Sequence, residues 1–309
     1  MTPQCNLIID SCCDLPFEVL DREGVEILEF PYIIDNVEHT DDLYRSLSAA
    51  DFFQKMRQGA QPTTAQLSVQ SLQSVFQRVA DSGIPAVYLS FASALSGSFD
   101  VAQMVLSQFK EEHPDAEIYI VDTRLASAAE GLLVYEAIHQ RDQGLTAFEL
   151  AQWAAEAYNY VNCEFMVDDL GTLRRGGRIP ASVAYAGSKL DVKPMLSEDL
   201  EGKLCLVGVA HGRRKGIKQM ADLYAKRASS TGSGRYVIVA NADCPKDAQR
   251  LKEELLKVDE SIVFIETSIG PVIGSHVGPD MVALVFWGPD RRDNLSVADM
   301  IARKVRGEH

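Results

Sequence analysis

The sequence predicts an α/β protein of two units, with mainly parallel sheets flanked by helices and a ligand between the units. Three observations carry this. Short runs of β-branched or apolar residues read as buried strands, amphipathic stripes at helical spacing lie between several of them, and the two kinds alternate along the whole chain. That alternation is the signature of strand–helix–strand units built around a parallel sheet.

Strands are expected at 6–9, 86–90, 117–121, 164–167, 235–240, 261–265 and 282–287, each a continuous apolar run of the kind buried on both faces. Between them, Val69, Leu72, Val75, Phe76 and Val79 fall on one helical face. So do Phe99, Ala102, Val105, Leu106 and Phe109. Thr146 and Glu149 have the spacing of a capping box, ahead of a stripe of Leu150, Ala154, Ala157 and Val161. Two more stripes follow: Ile217, Met220, Leu223 and Tyr224, then Ala248, Leu251 and Leu255. The polar stretch 229–234 reads as a loop. With 309 residues the chain is long enough for two domains. The boundary is placed near residue 160, giving units 1–160 and 161–309, because a Gly- and Arg-rich segment after it breaks the βα pattern.

The formal net charge of −14 excludes extended nucleic-acid binding, since no basic excess exists to meet phosphates. The longest clean apolar run is 281–287, far short of the roughly 20 residues that span a bilayer. The first residues lack the features of a signal peptide, so a cytoplasmic address is expected. The six cysteines form no CxxC and no metal-ligand spacing; Cys5, Cys163 and Cys205 read as small core hydrophobes, and Cys12–Cys13 as a pair at a strand end. No metal site is expected.

Seven segments could carry chemistry. Leu95-Ser96-Gly97-Ser98 follows a strand and opens a helix, where unpaired N–H groups, a close-approach glycine and hydroxyls make an anion cradle; a plain N-cap would use the same residues. Asp10-Ser11 and Asp122-Thr123 stand at carboxyl ends of strands, where ligands bind in open α/β sheets, although turn capping explains them equally. The polar segment 61–66 offers the Thr63 and Thr64 hydroxyls. Arg174, Arg175 and Arg178 surround Gly176 and Gly177, and Arg213, Arg214 and Lys215 form a second basic cluster at a helix start, where the dipole disfavours them. Finally, glycines at 270, 274 and 278 bracket His276 in what reads as a shaped loop.

Taken together in chain order, the segments resemble the DegV family, which includes the fatty-acid-binding subunits of bacterial fatty acid kinase. The matching pieces are residues 9–16, Thr64-Ala65-Gln66, Leu95-Ser96-Gly97-Ser98-Phe99, Val121-Asp122-Thr123, residues 173–179, Lys193-Pro194, Arg213-Arg214-Lys215 and residues 273–279. The resemblance implies two α/β domains with a long-chain fatty acid between them and no further cofactor. Its carboxylate would be bound by Thr64, Ala65, Ser96, Gly97 and Ser98, and its chain would enter an apolar tunnel. A separate kinase subunit would phosphorylate the carboxylate to an acyl phosphate for phospholipid synthesis. The matching Arg178 and His276 would serve the phosphoryl step or head group, Arg213, Arg214 and Lys215 would meet the kinase, and transient membrane contact fits such a carrier. No residue is assigned a catalytic role. The chain departs from the family at Ala65 and Leu67, where a Ser and a Pro are usual, at Asp280 in place of Gly, and at Cys12 in place of Ser or Thr.

Two other readings are carried forward. A hydrolase would use Ser96 and His276 with Asp10 or Asp122, although no Gly-x-Ser-x-Gly elbow surrounds the serine. A phosphate- or nucleotide-binding regulator would use the same cradle, although neither a P-loop nor a Gly-x-Gly-x-x-Gly follows a strand.

Overall fold

The computed structural model describes residues 3–180, 191–228 and 236–293; the polar stretch expected to be a loop at 229–234 lies outside them. The chain starts with β1 (Asn6–Asp10), α1 (Phe17–Leu20), β2 (Val25–Leu28), β3 (Pro31–Ile34), β4 (Val37–Thr40), α2 (Ala49–Arg57) and β5 (Thr63–Thr64). It continues through α3 (Val69–Ser82), β6 (Ala86–Ser90), α4 (Ser98–Glu112), β7 (Ile118–Asp122), α5 (Ala128–Asp142) and α6 (Ala147–Ala157). Then follow β8 (Val161–Met166), α7 (Gly171–Arg175), β9 (Val192–Glu198), β10 (Leu204–His211) and α8 (Arg213–Arg227). The last elements are β11 (Tyr236–Asn241), α9 (Pro245–Leu256), β12 (Val263–Ser268), α10 (Pro271–Val277) and β13 (Val282–Trp287).

The first sheet has the order β2-β1-β6-β7 and is parallel throughout. Its central strand β6 is buried at every position, which is why it is a continuous apolar run. The helices begin and end where local chemistry dictates. Ser68 accepts from the N–H of Ser71 at 3.0 Å to start α3, and Gly83, left-handed at φ 65°, ends it. The expected capping box opens α6 in both directions, with Glu149 N–H donating to Thr146 Oγ1 and Thr146 N–H to Glu149 Oε2. Val161, read as the last of that helical stripe, is instead the first residue of β8. Val69, read as a core position, is 41% exposed.

The second sheet has the order β10-β9-β8-β13-β11-β12. Among the described residues only its β11–β12 pair is parallel. The expectation of mainly parallel sheets is therefore corrected for this half. β9 and β10 are joined by a short turn containing Gly202 at φ 78°, which forces a hairpin, and β13 runs back antiparallel between β8 and β11. A small antiparallel sheet, β4-β3-β5, lies apart from both. Asp35 and Asn36, at φ 55° and 62°, make the two-residue turn between β3 and β4, the geometry that right-handed strand twist favours.

One apolar core runs through both large sheets, including Ile8, Leu132 and Val285. Helix α5 packs on β8, β11 and β13 and on the turn after β1, so its first seven residues are all buried. Four of the six cysteines are buried; Cys205 and Cys244 are half-buried. No helix among the described residues is long and apolar enough to cross a membrane.

Candidate functional site

The three sheets converge on a cavity of about 210 Å³. Thr64, Ala65, Ser96, Gly97, Arg178 and His276 all line it, brought from positions more than 200 residues apart. Ser98 does not: it is buried at the first turn of α4, where its Oγ accepts from Leu67 N–H at 3.2 Å and from Ser96 Oγ at 3.1 Å. Of the five residues expected at the carboxylate, Ser98 is therefore the one set back from the cavity. Its hydroxyl ties the segment before α3 to the start of α4.

Each lining group is held by a local device. Pairing of β5 with β3 sets Tyr32 opposite Thr64 and fixes the Thr64 side chain. Gly97 caps α4, and a Cβ there would collide with the amide of Gln66, so glycine lets the two segments touch. Arg178 follows α7 and the left-handed Gly177, φ 72°. Its Nε donates to the Leu95 carbonyl at 3.1 Å and its Nη1 to that of Gly176. The expected loop around His276 is a helix, α10; Pro271 at its first turn starts it and Gly278 stops it. His276 Nε2 lies 2.9 Å from Thr64 Oγ1. Its ring is seated against Gly176, where a Cβ would strike Nδ1.

The electrostatics follow from that packing. Burial, helped by the neighbouring Arg178 cation, lowers His276 to about 4, so the imidazole is neutral at neutral pH. Burial also lowers Arg178 from its usual value. Nδ1 of His276 is buried without a hydrogen-bond partner among the described residues. The mouth therefore presents two hydroxyls, a guanidinium, an imidazole and the N-terminal end of α4, all fit to receive an anion. The rest of the wall is apolar. Phe30, Phe91, Phe165, Leu173 and Leu204 supply bulk, while Ala126, Ala128, Ala129 and Ala283 leave space.

These small and aromatic wall residues were not legible as a site, since an alanine before a helix signals only helix propensity. One backbone outlier marks the place: Ser127 sits at φ 55°, ψ −139°, with its Oγ bonded to Asp14 Oδ2.

The remaining expectations fall outside the cavity. Arg213 bonds Asp168 at 3.3 Å, the Asp280 carbonyl at 2.6 Å, and Asp247. These carboxylates answer the unfavourable dipole at the start of α8. Among the described residues Arg214 and Lys215 enter no ion pair. Asp122 accepts from Ser93 and from the Arg124 N–H, a turn-capping role. Asp10 accepts from Tyr88 OH at 3.1 Å and Phe91 N–H at 3.2 Å. The hydrolase arrangement is not assembled among the described residues, because Ser96 Oγ points to Ser98, His276 pairs with Thr64, and no described carboxylate meets His276 Nδ1. No group of three or more His, Cys, Asp or Glu among the described residues is placed to hold a metal.

A family model described as "Uncharacterised protein, DegV family" matches residues 4–288. The chain belongs to the DegV family. A DegV domain-containing protein of Clostridium perfringens is 34% identical, with 91% of this chain and 97% of that protein aligned. A fatty acid binding DegV family protein from Streptococcus agalactiae superposes with a TM-score of 0.81 at 24% identity, covering 93% of this chain and 99% of that one. DegV from Bacillus subtilis, described as a fatty acid binding protein, gives 0.80 at 22% identity, covering 93% and 100%. Two groups of the DegV pieces read in the sequence stand apart in space. Residues 9–16 form a buried knot at the carboxyl end of β1, while Thr64, Ser96, Arg178 and His276 meet at the cavity mouth.

Proposed function

We propose that the cavity holds one long-chain fatty acid, with its carboxylate at the mouth and its acyl chain among the apolar walls. The observation that carries this reading is the distribution of polarity: hydrogen-bond donors gathered at Thr64, Ser96, Arg178 and His276, and a wall of aromatic, aliphatic and alanine side chains behind them. Each methylene buried there contributes about 0.8 kcal/mol, so the tail supplies most of the affinity. The Thr64 and Ser96 hydroxyls and the N–H groups that open α4 remove the cost of burying an unpaired carboxylate. The solved DegV structures described as fatty acid binding support the reading.

The reading extends to a partner and to the chain's layout. The chain would act in the cytoplasm as a non-catalytic carrier, divided near residue 160, that presents the carboxylate to a separate kinase subunit. Phosphorylation would turn a single charge into an acyl phosphate, and Arg178 stands ready to pair with the charge gained. With Arg213 committed to Asp168 and Asp247, the kinase contact would fall to Arg214 and Lys215.

Native mass spectrometry of the freshly purified protein, then denaturing extraction, tests the carrier reading. One fatty acid per chain is the expected result. A delipidated sample that takes up no straight-chain acid from tetradecanoic to octadecanoic would overturn it. For the partner step, Arg178→Ala and His276→Ala are expected to retain fatty acid but to lose acyl phosphate formation with a kinase subunit. Loss of fatty acid binding in either variant would refute that division of labour.

A further inference from the structure

The cavity wall holds one group that a plain fatty acid does not explain. Glu198, the last residue of β9, lines the cavity and is only 6% exposed. By register it faces Leu204 on β10, and Cys163 lies across from it on β8, two places before the Phe165–Leu196 pair. Both neighbours are themselves cavity-lining residues. The Cys163 thiol hydrogen-bonds the carboxyl group, yet Oε2 is buried with no partner among the described residues.

Among the described residues this carboxyl closes no ion pair. Arg291 is close, but its Nη1 donates to the Glu198 backbone carbonyl at 3.1 Å and its Nη2 to the Tyr158 carbonyl at 3.4 Å. Burial, opposed by Arg291, raises the Glu198 carboxyl above its usual range, which favours the protonated acid. A protonated carboxyl both donates and accepts. Strand β8 runs from the Cys163 end toward α7 and the cavity mouth, so Glu198 stands at the end remote from Arg178 and His276, about 10 Å of strand before β8 stops.

We infer that Glu198 determines ligand specificity by hydrogen-bonding a hydroxyl carried on the acyl chain itself, away from the carboxylate. The inference rests on the fatty acid reading above. A bare methylene beside Glu198 leaves a buried oxygen unpaired, whereas a hydroxyl there both gives and takes a hydrogen bond. A site built around such a pair rejects the analogue that lacks the hydroxyl.

The test uses delipidated full-length protein and competition between octadecanoic acid and a set of monohydroxyoctadecanoic acids differing in hydroxyl position. The parent is expected to bind at least one isomer roughly tenfold more tightly than octadecanoic acid. Glu198→Leu is expected to reverse that preference, and Glu198→Gln, which keeps both hydrogen-bonding functions, to retain it. If the parent binds octadecanoic acid as well as every hydroxy isomer, the role of Glu198 falls while the carrier reading stands. Persistence of the preference in Glu198→Leu would also overturn it. Binding of none of these acids would remove both.

Discussion

The cavity mouth and the acidic knot at the carboxyl end of β1 both concentrate polar side chains inside the chain, yet they are finished differently. Both gather polar side chains near the ends of strands and helices. In the knot, Asp10, Asp14, Asp41 and Glu130 are all within 2% of full burial. Asp14 alone accepts from the Gly270 N–H at 3.0 Å and from Ser127, and Thr267 donates to its backbone carbonyl. Those bonds fasten the starts of α5 and α10. At the mouth, the groups are half-exposed and under-committed: His276 has one partner and one idle nitrogen. The sequence motif alone does not distinguish the two, since Asp10-Ser11 and Ser96-Gly97-Ser98 both follow parallel strands. The difference lies in which hydrogen bonds are already closed within the chain.

The contrast can be broken most strongly at Asp14. Asp14→Ala leaves the Gly270 N–H and the Ser127 hydroxyl without their acceptor, and is expected to cost about 2–4 kcal/mol in chemical denaturation. A loss under about 1 kcal/mol would show that the knot is not a structural anchor.

The next effect is on pH. Burial pushes Asp10 and Asp41 each up to about 7, and holds Asp14 and Glu130 well above the usual carboxylate range. Folding therefore raises their proton affinity. Their stabilising contribution is full below the unfolded value of about 4 and is lost as pH rises through about 7. Unfolding free energy is expected to fall between these limits by up to about 1.4 kcal/mol per pH unit for each of Asp10 and Asp41. His276 works against one such share below 6.5, since its folded value is depressed to about 4. Asp10→Asn should flatten the slope; an unchanged slope would assign the dependence elsewhere.

At the mouth, effects shift from stability to function. Gly176→Ala drives a methyl group into the His276 ring, and is expected to retain fatty acid but to lower acyl phosphate formation with a kinase subunit about tenfold, with under 1 kcal/mol of stability lost. Unchanged acyl phosphate formation would show that the ring position does not matter to the phosphoryl step. Ser96→Ala has the smallest expected effect, about 0.5–1.5 kcal/mol of binding free energy. A variant as tight as the parent would remove Ser96 from the carboxylate site.

Much of this organisation was legible from the residues, and the gaps have physical causes. The first sheet's inner strands and the amphipathic helices α3, α4, α6, α8 and α9 carry the periodicity that a buried strand or a one-faced helix must have. Helix α5 escaped because Ala128 to Val134 are buried all round, which erases the stripe. Helix α10 escaped because its interior glycine, Gly274, reads as a breaker; the structure needs it because a Cβ there would come within 2.9 Å of Phe53. The β9–β10 hairpin was hidden by Ser197, Glu198 and Asp199, polar residues at a strand end. The mouth could be assembled in advance only because ordered motifs pointed to one family. The wall, including Glu198, has no such mark, since a lining residue differs from a core residue only by what is missing beside it.

Pocket walls drawn from Phe30 and Phe91 on one side and from Phe165, Leu204 and Met281 on the other make the space a gap in a shared core. An occupant there completes the packing of both halves at once, as a keystone completes an arch. Under the proposed function, stability then rises with free ligand by mass action, so the survival of the chain against heat and proteases becomes a gauge of lipid supply.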